Sequence, residues 1–251
     1  MDLNIHSIHY KELLSKLHRL EPLELQVTDQ EKVTIISDCH LDQTFNAQQY
    51  AYLEQVIDAS DQFIINGDFW ADKHISFDAF VSSPWSRLFP KLKEKNTYYI
   101  FGNHDMPALC DERMDLFCTH AGFQLKLKAG NLSFHIEHGH LLSPQIVLHI
   151  LQLFEFHPQL LSRLTRPVGI FNEIALDIMQ ATNSTIAQRI NRSYKKKRLC
   201  VSQSDEYFVM GHTHVSEYDE KKKYINLGRT HGRQFSYLTI HQNTFHLHTS
   251  E

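Results

Sequence analysis

Five short segments of this chain gather the kinds of side chain that hold divalent metal ions: Asp38-x-His40, Gly67-Asp68, Gly102-Asn103-His104-Asp105, His138-Gly139-His140 and Gly211-His212-x-His214. Neutral imidazole, carboxylate and amide oxygen form a mixed N/O set that suits Mn²⁺, Fe²⁺ or Zn²⁺ and gives little reason for Ca²⁺. Two such ions about 3.5–4 Å apart need a shared carboxylate, several further ligands and room for water and substrate. Asp38, His40, Asp68, Asn103, His138, His212 and His214 would supply them. In Asp38-x-His40 and His212-x-His214 a one-residue gap on extended backbone would turn both side chains the same way. Gly67, Gly102, Gly139 and Gly211 adjoin these residues, where a tight turn or a close backbone approach needs a residue without Cβ. Each segment alone says little, because an isolated Asp-x-His or Gly-Asn-His is ordinarily a cap or a turn.

Position strengthens the signal. Residues 33–36, 62–66 and 97–101 read as short apolar strands, with a helix at 47–59 and a helical stretch ending near Lys95 between them. That alternation predicts a parallel sheet covered on both faces. Each strand runs directly into one of the polar clusters, and in α/β sheets ligands bind beyond the carboxyl ends of the strands. Clusters far apart in sequence are therefore expected to meet. An amphipathic helix is expected at 6–20, before this unit. After Phe123 strands are expected at 124–127, 132–136, 207–210, 215–218, 223–226, 235–240 and 245–248. Residues 144–195 read as mostly helical, which makes the chain a single domain over 1–251 with a helical insertion at about 144–195. The run Lys195-Lys196-Lys197-Arg198 is expected to be a solvated charge cluster.

Composition narrows the class. The 251 residues are 42% apolar and 22% charged, as in an ordinary globular protein able to bury a sizeable core. A formal net charge of -4 gives no general attraction to nucleic acid, and no nucleic-acid partner is expected. Histidine is plentiful at 18 residues, so position has to separate ligands from the rest. His6, His9, His18, His149, His157, His241, His246 and His248 match no segment and are expected to face solvent or make hydrogen bonds. Cys39, Cys110, Cys118 and Cys200 form no C-x-x-C pair, and Cys39 reads as a small reduced filler. No stretch is apolar for long enough to span a bilayer and the N-terminus lacks a secretory pattern, so a cytoplasmic location is expected.

In their order and context the five segments resemble the motifs of the calcineurin-like metallophosphoesterases, over roughly residues 33–230. The resemblance implies a four-layer α/β/β/α sandwich with a dinuclear centre at one edge. One ion would take Asp38, His40 and His214, the other Asn103, His138 and His212, with Asp68 bridging. The ions, Mn²⁺ first and Fe²⁺ or Zn²⁺ as alternatives, would present a bound hydroxide to phosphorus. The histidine after the asparagine is not a ligand in this family. His104 would instead face the substrate and stabilise or protonate the leaving oxygen, with Asp72 as the candidate carboxylate that orients it. His140 and Arg229 are candidate substrate contacts, Arg229 through bidentate binding of phosphate.

The implied substrate is a small phosphorylated molecule cleaved at a phosphoester or pyrophosphate bond. Ser37-Asp38-Cys39-His40-Leu41, Asn66-Gly67-Asp68-Phe69-Trp70 and the helical insertion resemble the UDP-2,3-diacylglucosamine hydrolases. His104 departs from that branch, which commonly has arginine there. The insertion combines apolar residues with Arg163, Arg166, Arg189 and Arg192, a composition that suits a lid over acyl chains and pyrophosphate and allows contact with a membrane surface. Simple packing of those helices on the core fits equally well. Two other readings use the same core: a metallo-nuclease or general phosphodiesterase, and a non-catalytic metal-binding scaffold. A scaffold would be expected to have lost ligands, and all seven are present.

Overall fold

The computed structural model describes residues 21–142, 185–199, 205–232 and 234–250. The expected helix at 6–20 and the insertion's residues 144–184 lie outside the described residues. The chain opens with β1 (Leu23–Val27) and β2 (Val33–Ile36), followed by α1 (Ala47–Asp58) and β3 (Gln62–Asn66). Then come α2 (Phe77–Val81), α3 (Phe89–Glu94), β4 (Tyr98–Ile100) and β5 (His120–Gly122). The second half holds β6 (Gln124–Ala129), β7 (Leu132–Glu137), α4 (Thr185–Leu199), β8 (Tyr207–Met210) and β9 (Glu217–Asp219). It ends with β10 (Tyr224–Asn226), β11 (Thr230–His231), β12 (Gln234–His241) and β13 (Thr244–Ser250).

Two sheets form. The first runs β11-β12-β2-β3-β4-β5, with β13 paired to β12, and the second runs β1-β6-β7-β8-β10-β9. Strands β2 to β5 are parallel, as the alternation of strand and helix predicts, and β12 joins β2 antiparallel. Period-two side-chain direction explains why Val33–Ile36 and Gln62–Asn66 are buried throughout. Ile36, Phe63, Ile65 and Tyr99 face a core shared with the helices, while Val33, Ile35, Ile64 and Ile100 face the second sheet. Leu125, Leu127, Phe134, Ile136, Val209 and Ile225 meet them from the other side.

Helix α1 starts where Asn46 Oδ1 accepts the backbone N–H groups of Gln48 and Gln49, each at 3.0 Å. Its residues Leu53, Val56 and Ile57, spaced for one helical face, enter the helix-side core. On the outer face of the second sheet, Tyr194 of α4 packs against Phe208, Met210 and Tyr224. The order of layers is therefore helices, sheet, sheet, helix, the α/β/β/α sandwich that the resemblance implies. None of the described helices is long and apolar enough to cross a membrane.

One expectation holds only in part. Helix α4 continues through Leu199, and only half of the basic run is solvated: Lys196 and Lys197 are exposed, whereas Lys195 and Arg198 are only 7% and 6% exposed. With Asn191 they occupy positions i, i+4 and i+7, one face of the helix, and that face turns inward. Lys195 meets Glu217 and Asp219, and the Arg198 guanidinium lies 4.1 Å from the centre of the Phe208 ring.

Candidate metal centre

The loops that follow β2, β3 and β4 in the first sheet and β7 and β8 in the second carry the seven expected ligands to one edge of the sandwich. The backbone there is not extended. Asp38 (φ 54°), His40 (φ 45°), Asp68 (φ 52°), His212 (φ 64°) and His214 (φ 57°) all lie in the left-handed region. The Asp-x-His and His-x-His pairs thus converge by curling, not by the alternation of a strand. Such conformations cost roughly 1–3 kcal/mol each for residues with a Cβ and persist only where neighbours hold them. Here the Asp38 and His40 amides donate to the carbonyls of Gly67 and Asp68 at 3.1 and 3.0 Å, lacing the first loop to the second. Two glycines allow this lacing: a Cβ at Gly102 would overlap Asp68 Oδ1, and one at Gly211 would overlap Asp38 Oδ2.

Each carboxylate is held by one oxygen. Asp38 Oδ2 accepts from the Ser37 hydroxyl and from the His212 amide at 3.1 Å, and Asp68 Oδ1 accepts from the His104 amide at 2.9 Å. The opposite oxygens face the imidazoles. His214 Nε2 lies 3.1 Å from Asp38 Oδ1 and also 3.1 Å from His40 Nε2. Asp68 Oδ2 lies 3.2 Å from His138 Nε2 and 3.9 Å from His40 Nε2. His138 Nδ1 donates to the Asn66 carbonyl at 2.8 Å, which fixes the tautomer and turns Nε2 into the site.

These residues fit metal ions. Asp38–His40–His214 and Asp68–His138–His212 each bring three ligand atoms within 4.8 Å of one another, as does His40–Asp68–His104. Asp38 Oδ1, Asn103 Oδ1 and His138 Nε2 are buried without an aligned hydrogen-bond partner among the described residues, although His214 Nε2 stands 3.1 Å from the first and Asp68 Oδ2 3.2 Å from the last. Donor atoms crowded together without mutual alignment are what a common cation would explain. Charges respond accordingly. Burial opposes ionisation of both Asp68 and His138, but their mutual attraction wins: Asp68 is held well below the usual carboxylate range and His138 rises to about 9. Burial, with the positive His138 beside it, drives His140 down to about 3.

The other expected site residues are placed as follows. His104 Nδ1 is 2.8 Å from Asp72 Oδ1, and its ring centre is 5.1 Å from that of His40. His140 is 1% exposed, its ring centre 5.5 Å from that of His138, and neither nitrogen has a hydrogen bond among the described residues. Arg229 Nε donates to Gln234 Oε1 at 2.9 Å across the β11–β12 turn. Cys39 is fully buried, and burial, then the charges of Asp38 and Asp105, push its thiol up, as befits an unreactive filler.

Several supporting residues escaped the sequence reading. Asp105 stands in the third segment but had no role assigned. It accepts from the amides of Gly102 (2.6 Å) and Phe69 (2.8 Å) and from the Tyr99 hydroxyl (2.5 Å), tying the second and third loops together. Burial and the nearby Asp68 charge raise it to about 7 against those bonds. Gln49, on α1, donates to the carbonyls of Cys39 and Thr230 at 3.0 and 2.8 Å. Its place on the inner face of a helix was the only available signal. Tyr194 carried no signal at all, yet its hydroxyl is 3.2 Å from His212 Nε2.

A two-sheet sandwich with carboxylate, imidazole and amide groups converging at its strand ends defines a metal-dependent phosphoesterase. The model of the calcineurin-like phosphoesterases matches residues 31–216, which include all five segments, and the chain belongs to that family. Similar solved structures include a predicted phosphoesterase of Streptococcus pneumoniae, at 15% identity over 87% of this chain and 88% of that one, with a TM-score of 0.39. The phosphoesterase Yfce of E. coli is 13% identical over 85% of this chain and 90% of its own, with a TM-score of 0.43. A cold-active protein-tyrosine phosphatase of a Shewanella species is 12% identical over 94% and 84%, with a TM-score of 0.38. No curated protein sequence matches the chain.

Proposed function

We propose that this phosphoesterase hydrolyses a phosphoester or phosphoanhydride bond of a small phosphorylated substrate at a centre for two divalent ions. Asp38, His40 and His214 hold one ion, Asn103, His138 and His212 the other, and Asp68 is shared. The observation that carries this reading is the position of Asp68: it belongs to ligand groups on both sides, with Oδ2 toward both His138 and His40 and Oδ1 fixed by the His104 amide. When bound, the ions neutralise charge on the phosphoryl group and acidify water. Mn²⁺ is the first expectation, with Fe²⁺ or Zn²⁺ as alternatives.

His104 also lies within ligand reach of His40 and Asp68, but its Nδ1 is engaged by Asp72. That contact orients the ring and assigns proton delivery to Nε2, the arrangement of an imidazole acid for a leaving oxygen. His140 and Arg229 are the proposed substrate contacts. The free thiols of Cys39, Cys110 and Cys118 support a reducing, cytoplasmic setting.

The test is metal content by mass spectrometry together with hydrolysis of a chromogenic phosphodiester in the presence of Mn²⁺. The wild type should hold about two ions per chain, as a two-metal site requires. Asp68→Ala should lose both ions and all measurable turnover. Full metal content and activity in that variant would overturn the ligand map. A wild type that bound two ions yet cleaved no phosphomonoester, phosphodiester or nucleoside diphosphate would be a scaffold.

A further inference from the structure

Helix α4 lies outside the five ligand segments, yet it grips the turn that carries His212 and His214. Asn191 Oδ1 accepts from Thr213 Oγ1 at 3.0 Å, from the Tyr224 hydroxyl at 3.1 Å and from Asn226 Nδ2 at 2.9 Å. Asn191 Nδ2 donates to Glu217 at 2.5 Å, and Lys195 Nζ donates to Asp219 at 2.5 Å. Held this way, the helix brings the Tyr194 hydroxyl to 3.2 Å from His212 Nε2, with the two rings 5.2 Å apart and inclined at 60°. The Lys197 ammonium lies 5.4 Å from the centre of the Tyr194 ring.

We infer that Tyr194 is a positioning residue for the second metal site, holding His212 by its Nε2 so that Nδ1 is the nitrogen presented to Asp68 and His138. The inference rests on the proposed role of His212 as a ligand. An imidazole has two nitrogens, and a ligand that binds metal through one carries its proton on the other. With Nδ1 toward the ion, Nε2–H donates to the phenol oxygen. That bond sets the tautomer and ring orientation and raises the basicity of the ligating nitrogen, as outer partners of metal-bound histidines do. The helix thereby gains a direct connection to the occupancy of the second site.

Tyr194→Phe removes only the hydroxyl and keeps the ring that packs on Phe208, Met210 and Tyr224. Stepwise Mn²⁺ binding, followed by equilibrium dialysis and by the electron paramagnetic resonance signal of the paired ions, gives a readout independent of turnover. The variant should bind its first ion as the wild type does and its second about 10–100-fold more weakly, the usual cost of losing an outer partner. The signal of the ion pair should give way to that of an isolated Mn²⁺ at limiting metal. Lys197→Ala, which leaves the hydroxyl in place, should retain wild-type binding of both ions.

Unchanged affinity for the second ion in Tyr194→Phe, with the wild type still binding two, would overturn the inference and leave the proposed centre standing. Equal weakening in Lys197→Ala, or a lowered unfolding midpoint that accounts for the loss, would assign the effect to helix packing and overturn it as well. A wild type that binds fewer than two ions would remove both the inference and the reading beneath it.

Discussion

Asp38, His40, Asp68, Asn103 and His104 stand on loops backed by an apolar core, whereas His212 and His214 stand on a turn backed by α4 through polar contacts. Behind the first group Phe80 lies at the centre of an aromatic cluster, 6.0 Å from Phe69, 5.8 Å from Trp70, 5.5 Å from Phe89 and 6.1 Å from Phe117. Behind the second, Asn191, Thr213, Asn226 and Tyr224 form a closed hydrogen-bonded group, flanked by the Lys195 pair with Glu217 and Asp219. Apolar packing is non-directional and strong in sum, so it supplies stability and resists change. Buried polar groups contribute modest net energy but fix direction. A site shared between the two gains a rigid wall and a steered one.

The largest expected effect lies within the apolar-backed half, between adjacent residues. Asn103→Ala should lose metal and activity together. His104→Ala should keep both ions while kcat falls by roughly 10²–10⁴-fold, the scale of general acid assistance. The loss should shrink for substrates with a nitrophenolate leaving group, which scarcely needs a proton. Metal analysis and kcat on leaving groups of graded pKa decide this, and loss of an ion from the His104 variant would make it a ligand instead.

Stability should separate the two supports next. Phe80→Ala should cost about 3–5 kcal/mol in urea unfolding, since it opens a cavity among rings. Asn191→Ala should cost less, about 1–3 kcal/mol, the penalty for leaving buried partners unsatisfied. Equal costs would mean that the polar seam bears as much of the fold as the aromatic core does.

The smallest effect concerns pH. The contacts of Lys195 with Asp219 and Glu217 outweigh its burial and raise its pKa. Its contribution is therefore complete below the unfolded value of about 10.4 and disappears as pH rises through the higher folded value. The hydrogen bond from Lys195 lowers Asp219, so that share is complete above about 3.9 and disappears as pH falls through the lower folded value. The difference in urea midpoint between wild type and Lys195→Met should be constant at mid-range pH and should narrow at both extremes. A difference that kept growing into alkali would remove the ion pair as its cause.

Much of the candidate site was legible because its signals are local. Ligand-type side chains, adjoining glycines and short apolar strands occupy the same few residues, so Asp38, His40, Asp68, Asn103, His138, His212 and His214 could be chosen from the sequence and ordered by the resemblance. The apolar runs at 33–36 and 62–66 likewise announced strands buried on both faces. What covers one of those faces depended on the second sheet, which the residues of β2 and β3 do not encode. Strand β5, His120-Ala121-Gly122, has no strand pattern of its own and exists because β4 offers it an edge. The left-handed backbone of the ligand pairs was also hidden, since Asp-x-His reads the same on a strand or in a curl. Lys195 looked like a solvated lysine because its partners, Glu217 and Asp219, lie 22 and 24 residues further on. Asp105 reaches Phe69 across 36 residues, and Tyr194 reaches His212 across 18. Spacing and side-chain type are properties of neighbours in the chain; support and burial are properties of neighbours in space, and only folding brings those together.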